Sequence, residues 1–343
     1  TLFRSPNDAT FVSKNDFIVP AGQSLDGTSI FGDSTATNTA FQNGFLTGQT
    51  LGQIQANSSA GSAFTPPNLF TSEAQTKVPR YYKWDLELQH QLGAATSVSI
   101  SYVGNRGKHE PVIDNSANAF GSGFGTLPAQ APDPRFTGVT ILYAGGSSKY
   151  DGGTVTLVHR INGAWGSGIV QASYTYSHAS DEVSNGGFFP FSSVSLLNPQ
   201  DPFNTHGNYG PADYDARHSV TANYVWQLPI RRLVGARFSN RLTDGWEISG
   251  AVFARSGFPY SVVDGTLSND LAANNNYFGQ VIPQFLGGPN TCRVTSAGPS
   301  CFASASEFNV GAEPGFTTGQ RNIFRGPRYI NADASVMKFT RIP

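Results

Sequence analysis

From Tyr82 the chain reads YKWDLELQHQLGAATSVSISYVGNRG, and apolar and polar positions alternate on both sides of a short break. Trp84, Leu86 and Leu88 interleave with Asp85, Glu87 and Gln89; Val98, Ile100 and Tyr102 interleave with Ser97, Ser99 and Ser101. Successive side chains of a strand point to opposite faces, so a period of two on both arms of a tight connection predicts a β-hairpin. The pattern recurs. Residues 150–160 set Val155 and Leu157 against Thr154 and Thr156, and residues 168–178 set Val170, Ala172, Tyr174 and Tyr176 against Gln171, Ser173 and Thr175. Residues 217–228 set Val220, Ala222, Tyr224 and Trp226 against Ser219, Thr221 and Asn223. Residues 245–256 set Trp246, Ile248 and Val252 against Glu247, Ser249 and Arg255, and a last alternating run begins near Tyr329. No stretch shows the i, i+3, i+4 spacing of an amphipathic helix.

The joins at 91–96, 161–167 and 229–243 are short or moderate, whereas 105–149 (with room for one strand at 136–144), 179–215 and 257–328 are long. Long and short joins alternate, as in an up-and-down sheet with tight turns at one end and large loops at the other. The expected fold is all-β: part of a transmembrane antiparallel barrel with short periplasmic turns and long extracellular loops. On this reading Gly104-Asn105-Arg106-Gly107 marks the exit of a strand into a loop in water. Trp84, Tyr102, Tyr174, Tyr176, Trp226 and Trp246 are the expected lipid-interface aromatics. Glu247 and Arg255 are expected to face a water-filled lumen. A soluble sandwich or propeller also alternates, but loops beyond 30 residues at every second connection are uncommon there.

Composition sharpens this picture. Charged residues are 13% of the 343, about half the usual share for a soluble domain, while glycine (38 residues) and aromatics (12%) are abundant. Such a surface suits a solvent other than water. A net charge of -1 argues against nucleic acid as a partner. No apolar run approaches the roughly 18 to 20 residues of a membrane helix. Residues 1–20 lack the basic start and apolar centre of a secretory signal, so the chain is expected to be a fragment. Residues 1–5, TLFRS, are what the end of a common sequencing adapter encodes, and they are expected to be read-through.

Further along, WDLELQHQLGAATSVSISYVGNRGKH, SSKYDGGTVTLVHR, VQASYTYSHASD, DYDARHSVTANYVWQLP, GWEISGAVFARSGFPYSV and GQRNIFRGPRYINADASVMKF follow one another in order. In these segments the chain resembles the C-terminal barrel of a TonB-dependent outer-membrane receptor of the Oar-like group. The likeness runs from about residue 75 to the end; residues 6–75 form a loop-rich segment, and 76–343 would be the partial barrel. The resemblance implies energy-coupled transport across the cell outer membrane, with outer-membrane lipid as partner and TonB engaged through an N-terminal part not in this sequence. It also implies final strands beyond Pro343, so that this chain would supply about seven or eight of about twenty-two strands. Tyr, Phe, Asn and Asp in the long loops suit a carbohydrate or peptide substrate. An adhesin or structural surface protein and a barrel-rim hydrolase are the alternatives.

The candidate chemistry is sparse. In DYDARH, Asp215, Arg217 and His218 cluster where a loop enters a strand, and an acid–histidine pair could activate water. A rim ion pair of Asp215 with Arg217, anchoring the loop, is the preferred reading because no nucleophile stands at a readable spacing. The remaining histidines are scattered, so no metal and no cofactor is expected. SNDLAANNNY, at 268–277, holds too few carboxylates for a calcium loop. Cys292 and Cys301 lie in a Gly-, Pro- and Ser-rich stretch and fit a loop disulfide in an oxidising compartment. A zinc pair is the alternative, though no second Cys or His pair stands nearby.

Overall fold

The computed structural model describes residues 43–44, 46–50, 53, 68–121, 124–133, 136, 138–187, 198–235, 238–288, 293–295, 298–302, 304–309, 316 and 320–340. Its strands, in chain order, begin with β1 Leu69–Ser72, β2 Arg80–Gln91, β3 Thr96–Asp114, β4 Val139–Ile161, β5 Ser167–Asp181, β6 Gly210–Pro211, β7 His218–Leu228 and β8 Trp246–Arg255. They continue with β9 Pro259–Tyr260, β10 Gln284–Phe285, β11 Arg293–Thr295, β12 Gly298–Ser300, β13 Phe308–Asn309, β14 Phe324–Arg325 and β15 Tyr329–Lys338. The long strands pair in the order β2-β3-β4-β5-β7-β8-β15, each antiparallel to the next. Every alternating run in the sequence has become one strand of this up-and-down meander.

The register explains the alternation. Directly paired residues share a face, so Leu88, Ile100, Val155, Tyr174, Val220, Ala254 and Ile330 form one apolar row across the sheet. One residue along each strand, Glu87, Ser101, Thr154, Thr175, Ser219, Arg255 and Tyr329 form a row on the other face. On that polar face Thr154 bonds Thr175 at 2.9 Å and Thr156 bonds Ser173 at 2.9 Å. Large apolar side chains on the first face, Leu86, Leu88 and Ile100 among them, are more than half exposed. A soluble sheet would bury such a face; one in contact with hydrocarbon has no need to.

The turns at one end are tight. Leu92 N–H donates to Thr96 O at 2.9 Å across the β2–β3 connection, and Gly163 and Gly166, both at positive φ, close β4 onto β5. The β7–β8 join holds two short helices, Ile230–Val234 and Asn240–Thr243.

At the other end the structure departs from the sequence reading. Gly104-Asn105-Arg106-Gly107 is not a turn: β3 runs on to Asp114, paired with β4 back to Ile141, so both ends of the expected loop 105–149, residues 105–114 and 139–149, are strand. The strands bend instead of stopping, with register shifts around Glu110 and His109 at φ 57°. Gly104 is glycine because the Trp84 indole lies across it, where a Cβ would collide with the ring. A glycine covered by a neighbouring aromatic is a packing device of sheets, and in sequence it looks like a turn signal. The loop 257–328 also holds order that periodicity did not predict. Helix Gly265–Asn275 is polar on most sides; Asp264 caps it by accepting from Leu267 N–H at 3.0 Å, and Asn276 ends it in the left-handed region. The calcium candidate 268–277 is thus mostly helix, and no group of three or more potential metal ligands occurs among the described residues.

These loop-side segments fold on one another. Ala119, Leu127, Leu271, Tyr277, Val281 and Phe316 form a buried cluster, and Phe285, Phe302, Phe308 and Phe324 form a second group of rings in edge-to-face contact. The result is a packed cap on the loop end of the sheet.

Candidate functional site

Charge is scarce in this chain, so the places where it is buried stand out. The segment GQRNIFRG, at 319–326, carries two arginines four residues apart, and each finds carboxylates on the rim of the sheet. The Arg321 side chain is fully buried. Its Nη2 donates to Asp181 Oδ1 at 2.6 Å, to Ser184 Oγ at 3.0 Å and to Asp213 Oδ1 at 3.3 Å; its Nη1 donates to the carbonyls of Asp181 and Glu182 at 2.7 and 3.0 Å. Asn322, at φ 60°, donates from Nδ2 to Asp213 Oδ1 at 2.7 Å and to Pro211 O at 2.8 Å. Burial pushes the Asp181 carboxyl up from its ordinary range, against the pull of Arg321.

Arg325 takes the second position. Its guanidinium donates to the carboxylate and the carbonyl of Asp215, while β14 pairs with β9. Asp215 is buried at the junction of loop and β7, where it also accepts from Ala179 N–H at 2.8 Å and Arg217 Nε at 3.1 Å. Burial alone would raise its pKa, but the Ala179 amide, Arg325 and Arg217 together hold it below the usual aspartate value. The cap is thereby tied to β5 and β7 at two points.

The predicted cluster Asp215, Arg217 and His218 is therefore only partly assembled. Asp215 and Arg217 meet; His218 does not join them. As the first residue of β7 it lies on the apolar face, where Nδ1 bonds Tyr174 Oη at 2.7 Å and the ring packs 5.3 Å from Tyr176. The histidine beside Asp215 is His178, with Nδ1 3.3 Å from Oδ2. Its Nε2 in turn lies 3.0 Å from Ser180 Oγ, a serine–histidine–acid sequence in space. Three features argue against a nucleophile there. His178 Nδ1 makes no hydrogen bond, Ser180 is buried, and the Asp215 carboxylate is committed to an amide and two arginines. Sequence reasoning missed His178, Asp181, Arg321 and Arg325; their signal was a pair of arginines and a pair of acids in a chain with few charges, and nothing local joins them.

The remaining predicted residues fall as follows. Trp84, Tyr102, Tyr174, Tyr176, Trp226 and Trp246 all share the apolar face, the first four toward the loop end and the two tryptophans at the turn end. Trp226 Nε1 donates to Trp165 O and Trp246 Nε1 to Leu242 O, each at 2.7 Å, so both indoles bond turn backbone. Glu247 and Arg255 lie on the polar face at opposite ends of β8. The Arg255 guanidinium stacks 3.5 Å from the centroid of Phe258. Cys301 is disulfide-bonded, and Cys292 lies outside the described residues. At the loop end a cavity of about 230 Å³ is lined by Tyr81, Glu110, Ser147, Asp181, Glu182 and Tyr214.

A meander with one apolar and one polar face, tight turns at one end and a folded cap at the other defines the wall of a membrane-spanning β-barrel. The chain belongs to the outer membrane beta barrel domain family, whose pattern matches residues 3–343, and it is a protein of the outer membrane. Comparison with the curated proteins finds no match. Among solved structures it is similar to the outer membrane transporter YddB from Escherichia coli, at 12% identity and a TM-score of 0.40. That match covers 60% of this chain and 24% of the other.

Proposed function

We propose that this chain is the wall and outer cap of a TonB-dependent transporter of the Oar-like group, importing a carbohydrate or peptide substrate across the outer membrane without bond chemistry of its own. The observation that carries the reading is the meander itself. Its apolar face would contact lipid. From the Tyr176–His218 rung to the Trp246–Leu228 rung is ten residues of β7, about 33 Å along a strand. At the tilt usual for barrel strands this is a height of about 25 Å, the thickness of an outer-membrane apolar band. The predicted aromatics stand toward the two borders of that band, where amphipathic rings are most stable. The polar face, with Glu247 and Arg255, would line the lumen. The TonB dependence and the Oar-like affiliation rest on the sequence resemblance. The cap, held by Arg321 and Arg325, would meet substrate first.

The test is uptake of labelled oligosaccharides and peptides by cells with the gene intact, with the gene deleted and with TonB removed. Uptake lost in both deletions supports energy-coupled import. Uptake that needs the gene and not TonB indicates a passive channel, and surface binding without uptake indicates an adhesin.

A further inference from the structure

The apolar face does not end at its aromatic border. Continuing toward the loop end, the next rung on the same face after Trp84, Gly104, Asp151 and His178 is Tyr82, Arg106, Lys149 and Ser180. The rung beyond that is Arg80, Lys108 and Ser147. Four cations, Arg80, Arg106, Lys108 and Lys149, thus occupy adjacent positions on three neighbouring strands, just outside the ring of Trp84 and Tyr102. Strand spacing sets them about 5 Å apart across the sheet and about 7 Å apart along it.

Directly opposed like charges destabilise a sheet. Both cross-strand pairs here, Arg80 with Lys108 and Arg106 with Lys149, are cationic. The second pair has a counter-ion. Asp151 lies 3.1 Å from Arg106 Nη2 and 3.3 Å from Lys149 Nζ, and accepts from Tyr102 Oη at 2.7 Å, while the Arg106 guanidinium rests 5.1 Å from the centroid of Trp84. The first pair has none: among the described residues no carboxylate stands within ion-pair distance of Arg80 or Lys108, and both are exposed. Three cations at the turn end are placed differently. There Arg231 faces Asp244, Arg232 donates to Gly163 O, and Lys338 donates to Asp244 O.

We infer that Arg80, Lys108, Arg106 and Lys149 form a docking surface for the phosphate-bearing headgroup of an outer-leaflet lipid. The position selects the occupant. The patch lies on the face that contacts lipid, immediately outside the apolar band and at its loop end, which in such barrels is extracellular. A headgroup phosphate whose acyl chains lie along Leu86, Leu88 and Ile100 sits at this height. Its charge supplies the anion that the Arg80–Lys108 pair lacks, and its oxygens can be shared between a planar guanidinium and an ammonium. Tyr82 and Trp84 offer ring faces beside it. Only residues of the outer surface are involved, so the inference does not depend on what the lumen carries.

The experiment uses the protein purified from outer membranes in detergent and mixed with phosphatidylcholine vesicles containing diphosphoryl lipid A, or the same lipid stripped of its phosphates. The expected result is retention on the phosphorylated vesicles only, weakening as salt is raised. The double substitution Arg80→Gln, Lys108→Gln removes two exposed side chains that have no ion-pair partner among the described residues, and it is expected to lower that retention at least tenfold while the heat-dependent gel shift of the folded barrel is unchanged. Equal retention on both vesicles, or equal retention of wild type and double variant, overturns the inference. So does competition by inorganic phosphate as effective as that by the lipid, which would make the patch an ion site and not a lipid site. If the double variant does not fold, the salt dependence and the phosphate requirement of the wild-type protein decide.

Discussion

His178 Nδ1 lies 3.3 Å from Asp215 Oδ2, although the two residues are 37 positions apart in sequence. His218, only three positions from Asp215, bonds Tyr174 instead. The pairing follows from the meander: β5 runs up to the rim and β7 starts down from it, so Ala179 N–H meets the Asp215 carboxylate and brings His178 alongside. Two arginines then share that same carboxylate. The constellation is a structural clamp, with the acid holding the cap onto the strands.

Replacing Asp215 with Asn keeps its shape and removes its charge. Arg325 and Arg217 then lose their anion, and loss of one partner of a buried pair costs about 3–5 kcal/mol when both are inaccessible. Both arginines retain some water contact, so about 2–3 kcal/mol is expected. Limited proteolysis should show faster cleavage within 257–328 and an unchanged sheet; an unchanged cleavage rate would remove the clamp.

Arg321 is the harsher case because its side chain has no water to return to. Arg321→Met leaves Asp181 and Asp213 buried together without a cation, and a loss of about 3–5 kcal/mol is expected. Adding Asp181→Asn and Asp213→Asn to the same chain should recover most of it. A triple variant no more stable in urea than the single one would contradict the pairing.

Asp114, buried at the end of β3, gives a pH signature. Burial raises its carboxyl from 3.8 to about 6, partly offset by the Ser116 amide it accepts from. The folded state keeps this proton up to about pH 6 while the unfolded chain releases it near 3.8. Folding therefore takes up a proton in that window, and stability falls as pH rises through it, by about 3 kcal/mol in all. Asp114→Asn retains the acceptor for Ser116 and has no proton to lose. It should be close to neutral at pH 4 and stabilising at pH 7.5, read from urea midpoints at the two pH values; an equal effect at both would exclude the mechanism. Asp215 acts in the opposite sense: its lowered pKa contributes stability at neutral pH that disappears as pH falls below the aspartate range.

Ala172 and Gln171 are neighbours on opposite faces of β5, near mid-band. Arginine at 172 would stand in hydrocarbon and is expected to cost about 2–4 kcal/mol; arginine at 171 would reach the lumen and cost little. Folding yield into detergent micelles, followed by the heat-dependent gel shift, separates the two. Similar yields would reverse the assignment of the faces.

Much of the wall was legible in the sequence because its code is local. A strand between lipid and water must alternate, and the alternation in TSVSISY or GIVQASYTYSH states its two faces without reference to any neighbour. The common face of Trp84, Tyr102, Tyr174, Tyr176, Trp226 and Trp246, and the opposite face of Glu247 and Arg255, follow from the same period of two. What lay beyond the apolar band was decided by tertiary structure. Gly104 read as a turn because nothing nearby in sequence shows the Trp84 ring that covers it. The helix Gly265–Asn275 carries no strong apolar stripe, and it is held by a cap and by contacts from distant loops. Arg217, the neighbour that the sequence offered to Asp215, does pair with it, but the cap's partners for Asp215 and Asp181 lie more than a hundred residues downstream, in Arg325 and Arg321. Strand periodicity is written residue by residue, whereas an ion pair between segments exists only once the sheet has fixed where its strands end.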